Sequence, residues 1–192
     1  MKNLKKTYIL LASIFGLISI FSQNITTQDI IKPSEGKSLV YFVRSGAGFA
    51  LNFRIYDKDK FLGAVSGSSY LVYECEPGEH LFWATSENRD YVEANLAPNS
   101  VYVINAEGQM GAFIAGVNLK PLNPNEFSDK KLFYRVIKND TKQIFSNPTD
   151  NKSENIKKGL ETYNSLKANK SSKIQILDIS WKFENTDKPT RN

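Results

Sequence analysis

The only cysteine and the only histidine of this 192-residue chain stand five positions apart, in "YECEPGEHLFWA", residues 73–84. Cys75 and His80 are the residue types that make a nucleophile and its base, or half of a metal site. Pro77 and Gly78 lie between them. Proline presets φ at the second position of a four-residue turn, and glycine accepts positive φ at the third. The segment therefore reads as a turn joining two strands. If the turn closes a hairpin, the two side chains face each other at ~5 Å. Such a turn fits a tight hairpin poorly, however, and the chain can instead pass between two sheets, which would part the pair. A working dyad also needs a group to orient the histidine and donors for an oxyanion, and nothing in the neighbouring sequence marks them. A zinc site needs three or four ligands, and Glu74, Glu76 and Glu79 fall on alternating strand faces. The ordinary reading is a half-buried cysteine in a strand and a histidine at the surface or rim. It implies no catalytic residue, no cofactor and no metal.

Other candidates are weaker. "SEGK" (Ser34 to Lys37) and "SDKK" (Ser128 to Lys131) have the Ser-x-x-Lys spacing of some acyl-transfer enzymes, but no second motif accompanies either. "GAG" at Gly46 to Gly48 stands between two strand patterns, so no helix N-terminus awaits a phosphate. Asp57 and Asp59 alternate with Lys58 and Lys60, and turn chemistry accounts for both aspartates. The aromatic crowd of Tyr70, Tyr73, Phe82, Trp83, Tyr91 and Tyr102 suits core and cross-strand packing better than a ligand-stacking surface.

The elements that must position these residues have a period of two from Ser38 onward. "SLVYFVR", "FALNFRIY", "FLGAV", "SSYLVYEC", "HLFWATS", "YVEANL", "SVYVINAE" and "AFIAGVNLKPL" are strands separated by polar turns. Short strands at such intervals are the mark of a sandwich or small barrel. From about Asn123 the period changes. Leu132, Phe133, Val136 and Ile137 recur at helical spacing, as do Ile156, Leu160, Tyr163 and Leu166, with Asn151 as the N-cap of the second helix. Residues 140–151 read as a loop. Leu177, Ile179, Trp181 and Phe183 then alternate with polar residues and predict a final strand over 173–183. The fold class is mainly β: an antiparallel β-sandwich of seven or eight strands with a C-terminal extension of two helices and a final strand. The expected organisation is a signal peptide at 1–22, a linker at 23–37, the sandwich at 38–122, the extension packing on it at 123–183, and a disordered tail at 184–192.

Apolar residues make up 41% of the chain and charged residues 23%, which excludes wholesale disorder. The net charge of +5 is concentrated at the start, where Lys2, Lys5 and Lys6 meet no acid. Removing these three from 25 basic side chains leaves 22 against 20 acids, or +2. A near-neutral domain gives no nucleic-acid footprint. "MKNLKK", the uncharged run "TYILLASIFGLISIF" and then Ser22-Gln23 have the layout of a secretory signal: basic start, apolar middle, small residue before the cut. An uncleaved anchor is the alternative, because Ile20 stands where a small residue is usual. With Cys75 alone no internal disulfide forms, so an exported domain must stand on its core.

The stretch from Ser38 to Pro124 resembles the bacterial family called domain of unknown function 2846. The residues that carry the resemblance are "SLVYFVR", "FRIYDKDKFLGAV", "YLVYECEPGEHLFWA" and "LAPNSVYVINAEG". The Pro-Gly-Glu-His turn is similar also to that of PEGA-type sandwich domains of bacterial envelopes. The resemblance implies a small exported β-sandwich, often lipid-anchored, without established catalytic residues. The lipid-acceptor cysteine is missing here.

These readings converge on an exported, non-catalytic protein of the bacterial cell envelope, in the periplasm or at the cell surface. Its partner would be an envelope protein or a glycan. Nucleic acid is not expected, and membrane contact only through an uncleaved signal. Two other classes stay open: an exported hydrolase or thiol enzyme using Cys75 and His80, and a membrane-tethered structural protein. If the leader is a signal peptide, the intact mass of the natively produced protein will correspond to a chain starting near Gln23. A mass that includes Met1 to Ser22 selects the tethered form.

Overall fold

"SLVYFVR" forms β1 (Ser38–Arg44), which is buried along its whole length. A strand buried on both faces must lie in the middle of a sheet that is itself covered on both sides. The computed structural model describes residues 30–44, 52–67, 69–110, 115–139, 141–143 and 153–190. In it β1 is followed by β2 (Asn52–Asp57), β3 (Lys60–Ser66), β4 (Ser69–Cys75), β5 (Gly78–Thr85), β6 (Arg89–Leu96), β7 (Ser100–Met110) and β8 (Ala115–Pro121). Helix α1 (Phe127–Asn139), β9 (Thr141–Gln143), helix α2 (Ser153–Ala168) and β10 (Ile174–Leu177) complete the order.

The strands form two five-stranded sheets, ordered β8-β7-β1-β4-β9 and β10-β6-β5-β2-β3. Most neighbours are antiparallel. The pairs β1–β7, β4–β9 and β6–β10 are parallel, which alternation in sequence cannot distinguish. The expected mainly-β sandwich with two helices and a final strand is thus present. Its eight strands are extended at one edge of each sheet by β9 and β10. Among the described residues, no helix is long and apolar enough to cross a membrane.

Three apolar layers hold these elements together. Between the sheets lie Val40, Phe42, Phe53, Ile55, Phe82, Tyr102 and their neighbours. On the outer face of the first sheet, Leu39, Tyr41 and Val43 meet Phe133, Val136 and Ile137 of α1, and Ile30 joins them from before β1. On the outer face of the second sheet, Tyr56, Leu81, Trp83 and Tyr91 meet Ile156, Leu160, Tyr163 and Leu166 of α2. Period two in the strands and period 3.6 in the helices are therefore the same signal read from both sides of each contact. The result is four layers, helix–sheet–sheet–helix.

The edge of β8 is closed by side chains of the opposite sheet and of its β5–β6 turn. Asn88 donates from Nδ2 to the Val117 carbonyl at 2.8 Å and accepts the Val117 amide at 2.6 Å. Asp90 accepts the Leu119 amide at 2.6 Å, and Gln175 on β10 donates to the Leu119 carbonyl. These groups take the place of a further strand and remove a free edge that would otherwise invite pairing with another chain.

The C-terminal strand is shorter than its alternation predicts. Ser180 donates from both N and Oγ to Asp178, at 2.8 and 2.7 Å, and the Trp181 amide donates to the Asp178 carbonyl at 3.0 Å. This local turn chemistry ends β10 at Leu177 and leads the chain toward the first sheet. There the Phe183 amide donates to the Val101 carbonyl at 2.8 Å, and its ring meets Phe133 edge-on at 5.0 Å. Ile179 is left exposed and Trp181 is half-buried against the inter-sheet core. The expected loop at 140–151 contains β9, paired with β4. Phe49, Leu51, the "GAG" segment and the N-cap Asn151 lie outside the described residues.

Gly159 sets how closely α2 approaches the sheet. A Cβ there would lie 2.5 Å from the Trp83 ring. That ring is fully buried and stacked 4.0 Å from Tyr56, so it cannot swing aside. Tyr91 also donates to the Gly159 carbonyl at 2.8 Å. Alanine is better than glycine in a helix interior by about 1 kcal/mol. Overpacking costs about 1–3 kcal/mol, and here the ring has no escape. Gly159→Ala is therefore expected to destabilise the protein by about 1–2 kcal/mol, read as a lower urea midpoint. An unchanged or raised midpoint would mean that α2 shifts without penalty.

Candidate functional site

Alternation along three strands brings the chemically interesting residues to one end of the inter-sheet core. Phe53 and Ile55 face that core, and the next residue of the same parity, Asp57, follows them. In β5, Phe82 and Ala84 face inward and His80 precedes them; in β4, Leu71, Tyr73 and Cys75 do the same. Pro77 and Gly78 do not close a hairpin. They carry the chain from β4 in the first sheet to β5 in the second, with Gly78 at a φ of 110°. A crossing at this point keeps Cys75 and His80 at the same end of the core.

His80 is held by both ring nitrogens. Its Nδ1 lies 2.7 Å from Asp57 Oδ2, and its Nε2 lies 2.9 Å from the Glu76 carbonyl. Tyr73 donates its hydroxyl to the same Asp57 oxygen at 3.2 Å. Phe82 stacks on the imidazole at 5.3 Å. Cys75 donates its thiol to the Ser38 carbonyl at 3.8 Å. A carbonyl can only accept, and an ionised carboxylate can only accept, so both nitrogens carry protons and the ring is an imidazolium. Burial, the largest single influence, works against that charge. The bond to Asp57, the nearby Cys75 sulfur, the bond to the Glu76 carbonyl and the Asp57 charge outweigh it and bring the His80 pKa up to about 10. Burial and the neighbouring Asp57 charge likewise hold the Tyr73 phenol above its usual range, so it stays a donor.

These positions refine three expectations. His80, expected at the surface or rim, reaches the edge of an open groove with a side chain that is only 11% exposed, and that of Asp57 is 8% exposed. Cys75 is buried rather than half-buried, at 8% exposure. Asp57 ends β2 at the first position of the turn to β3, as expected, but its side chain orients the histidine. The signal for it was present, because the alternation Phe49, Leu51, Phe53, Ile55 continued by one step lands on Asp57. The pairing with His80 was not visible, because β2 and β5 become neighbours only in the sheet. Of the remaining candidates, Ser34 donates to Glu74 and Lys37 pairs with Glu76, which fastens the chain before β1 to the end of β4. Ser128 and Lys131 lie in α1. The signal-cleavage residues Ser22 and Gln23 lie outside the described residues. No group of three or more possible metal ligands occurs among the described residues.

On the other side of His80 lies an open groove of about 640 Å³. Its walls include Lys58, Glu79, Asn95, Tyr163 and Ile176, and His80 reaches it, but Cys75 does not line it. Tyr163 and Lys167 of α2 both bond Glu93 of β6, at 2.6 and 2.7 Å, which fixes the helix wall. These contacts hold the Glu93 carboxyl below its usual range, the bond from Lys167 contributing most. At the rim, Ile176 is 71% and Ile179 46% exposed. The groove escaped sequence reading because its walls come from strands, a helix and a turn far apart in the chain.

No protein-family model matches the chain, and neither a curated protein nor a solved structure matches it.

The imidazolium has a stability consequence whose sign is set by its raised pKa. Its contribution is complete below the unfolded value of about 6.5 and is lost as pH rises toward about 10. The melting temperature is expected to fall between pH 6 and 9. Asp57→Asn removes one member of a buried pair, which costs roughly 3–5 kcal/mol. In that variant the melting temperature should be lower at pH 6 and the pH dependence shallower. An equal slope in both proteins would show that His80 is not the titrating group.

Proposed function

We propose that this chain is an exported, non-catalytic binding module of a bacterial cell envelope, in the periplasm or at the cell surface. It engages an envelope protein or glycan through the groove between α2, β6 and β10. The observation that carries this reading is the groove itself, open, mixed in charge and rimmed by the exposed Ile176 and Ile179. Exposed apolar side chains beside a concave site are what a contact surface offers. The resemblance to domain of unknown function 2846 and to PEGA-type domains supports the same class, and the leader supports export.

The absence of a catalytic role is supported by His80. A general base needs a lone pair, and both nitrogens of the imidazolium are committed as donors to Asp57 and to the Glu76 carbonyl. A second reading, thiol or hydrolytic chemistry at Cys75, is favoured by one fact: Asp57 orients His80 on the same side of the core as the thiol. Against it, Cys75 packs into the inter-sheet core and not into the groove.

A photo-crosslinking side chain at Ile179 in the intact envelope separates these readings. A discrete adduct is expected that Ile176→Asp abolishes and Cys75→Ser leaves unchanged. Cys75→Ser should lower the melting temperature slightly, because it places a hydroxyl where a buried thiol packs as a small hydrophobe. Loss of function in Cys75→Ser at an unchanged melting temperature would overturn the non-catalytic reading.

A further inference from the structure

We propose that the outward face of α1 docks on the surface of a bilayer rich in anionic headgroups. The face is built from two rows with a four-residue step, which lie side by side on a helix. One row is Phe127, Lys131 and Arg135; the other is Lys130, Tyr134 and Lys138. All four cations are exposed, whereas Phe133, Val136 and Ile137 on the opposite face are buried against the first sheet. The two rings sit among the cations: Lys131 Nζ is 5.9 Å from the Phe127 ring centre, and Lys138 Nζ is 5.8 Å from that of Tyr134.

The helix offers these cations no counter-charge. Its single carboxylate, Asp129, is buried and accepts from Lys120 at 2.9 Å, from the Asn123 amide at 3.0 Å and from Ser128 at 3.3 Å. Glu126 precedes the helix. Some lysines elsewhere pair, Lys37 with Glu76, Lys158 with Glu154 and Lys167 with Glu93, and among the described residues others, such as Lys157 and Lys173, do not, so it is the clustering of four cations on one helix face that sets α1 apart. Among the described residues no such ion pair involves Lys130, Lys131, Arg135 or Lys138. Like charges one turn apart destabilise a helix, so the bare arrangement is unfavourable and an anionic surface relieves it. In a chain whose charge is otherwise nearly balanced, this concentration on one helix is directional.

The shape selects a surface over a strand or peptide. The face is the convex side of a helix, a shape that meets a plane rather than enfolds an extended chain. Tyrosine and phenylalanine among lysines match the headgroup zone, where ring bodies contact acyl chains and cations contact phosphates. Each cation near such a surface strengthens binding about fivefold, and the effect falls off within a Debye length. This contact is separate from the groove and does not rest on the groove's having a partner.

The test titrates the natively produced protein with vesicles of phosphatidylcholine alone and with vesicles containing roughly one third phosphatidylglycerol, where surface charge supplies the attraction. Binding to the anionic vesicles is expected to be at least about tenfold tighter and to weaken steeply as salt is raised. Lys131→Glu with Arg135→Glu should weaken it by about 25-fold or more, at an unchanged melting temperature. The same charge change at Lys157 and Lys173, exposed on α2 and in the turn after it, should leave it within about threefold. If the reversed pair does not fold, Lys131→Gln with Arg135→Gln serves the same purpose. Equal affinity for both vesicle types, or equal loss in the control variant, overturns the proposal. So does displacement from the vesicles by soluble polyglutamate at matched charge, which would make an acidic polymer the partner.

Discussion

Both sheets of this protein are apolar on both faces, and the rest of the architecture follows from that constraint. A two-sheet sandwich can bury only its two inner faces. Leu39, Tyr41 and Val43 on one outer face and Tyr56, Leu81, Trp83 and Tyr91 on the other would remain in water. The residues after the eighth strand supply the missing cover. Helix α1 closes one outer face and α2 the other, and the chain between and after them adds β9 and β10 to the sheet edges. Each large side chain so buried is worth about 1.5–3 kcal/mol, so the helices are integral to the fold rather than appended to it.

The ends of the inter-sheet core raise a second problem, because strands must cross there and backbone polar groups come with them. At the Pro77–Gly78 end the solution is ionic. Asp57, His80 and Tyr73 share one cluster of hydrogen bonds, and the imidazolium also satisfies the Glu76 carbonyl at the crossing. A buried pair of this kind adds little net stability compared with apolar packing, but removing one partner is costly. It therefore fixes which residues meet where β2, β4 and β5 converge. The side of the sandwich at β8 is closed by the same logic with neutral groups, Asn88 and Gln175, assisted by Asp90.

In the reading we propose, function is carried at different places from the residues that first suggest chemistry. Cys75 packs in the inter-sheet core and His80 is held by Asp57 and the Glu76 carbonyl at its end. The open surfaces to which we assign roles are the groove beside α2 and the cationic face of α1. With both proposals, a chain with a groove on one outer layer and a cationic helix on the opposite outer layer would hold two things at once. That geometry suits an envelope protein working next to a membrane, the class in which we place this chain.

Periodicity alone determined the strands from Ser38 to Pro121 and both helices, because each buries one face and the pattern of that face is written in consecutive residues. It also determined that Pro77 and Gly78 mark a connection between strands. Alternation misled over 173–183, where Asp178 and Ser180 formed a local turn that outcompeted the ladder. Sheet order, the parallel pairs and the neighbours of His80 were decided by tertiary structure, since they join residues such as Asp57 and His80 that no local pattern relates. The protonation of His80 belongs to the same group. A histidine between two acceptors is an imidazolium, but only the fold puts a carboxylate and a carbonyl on either side of the ring.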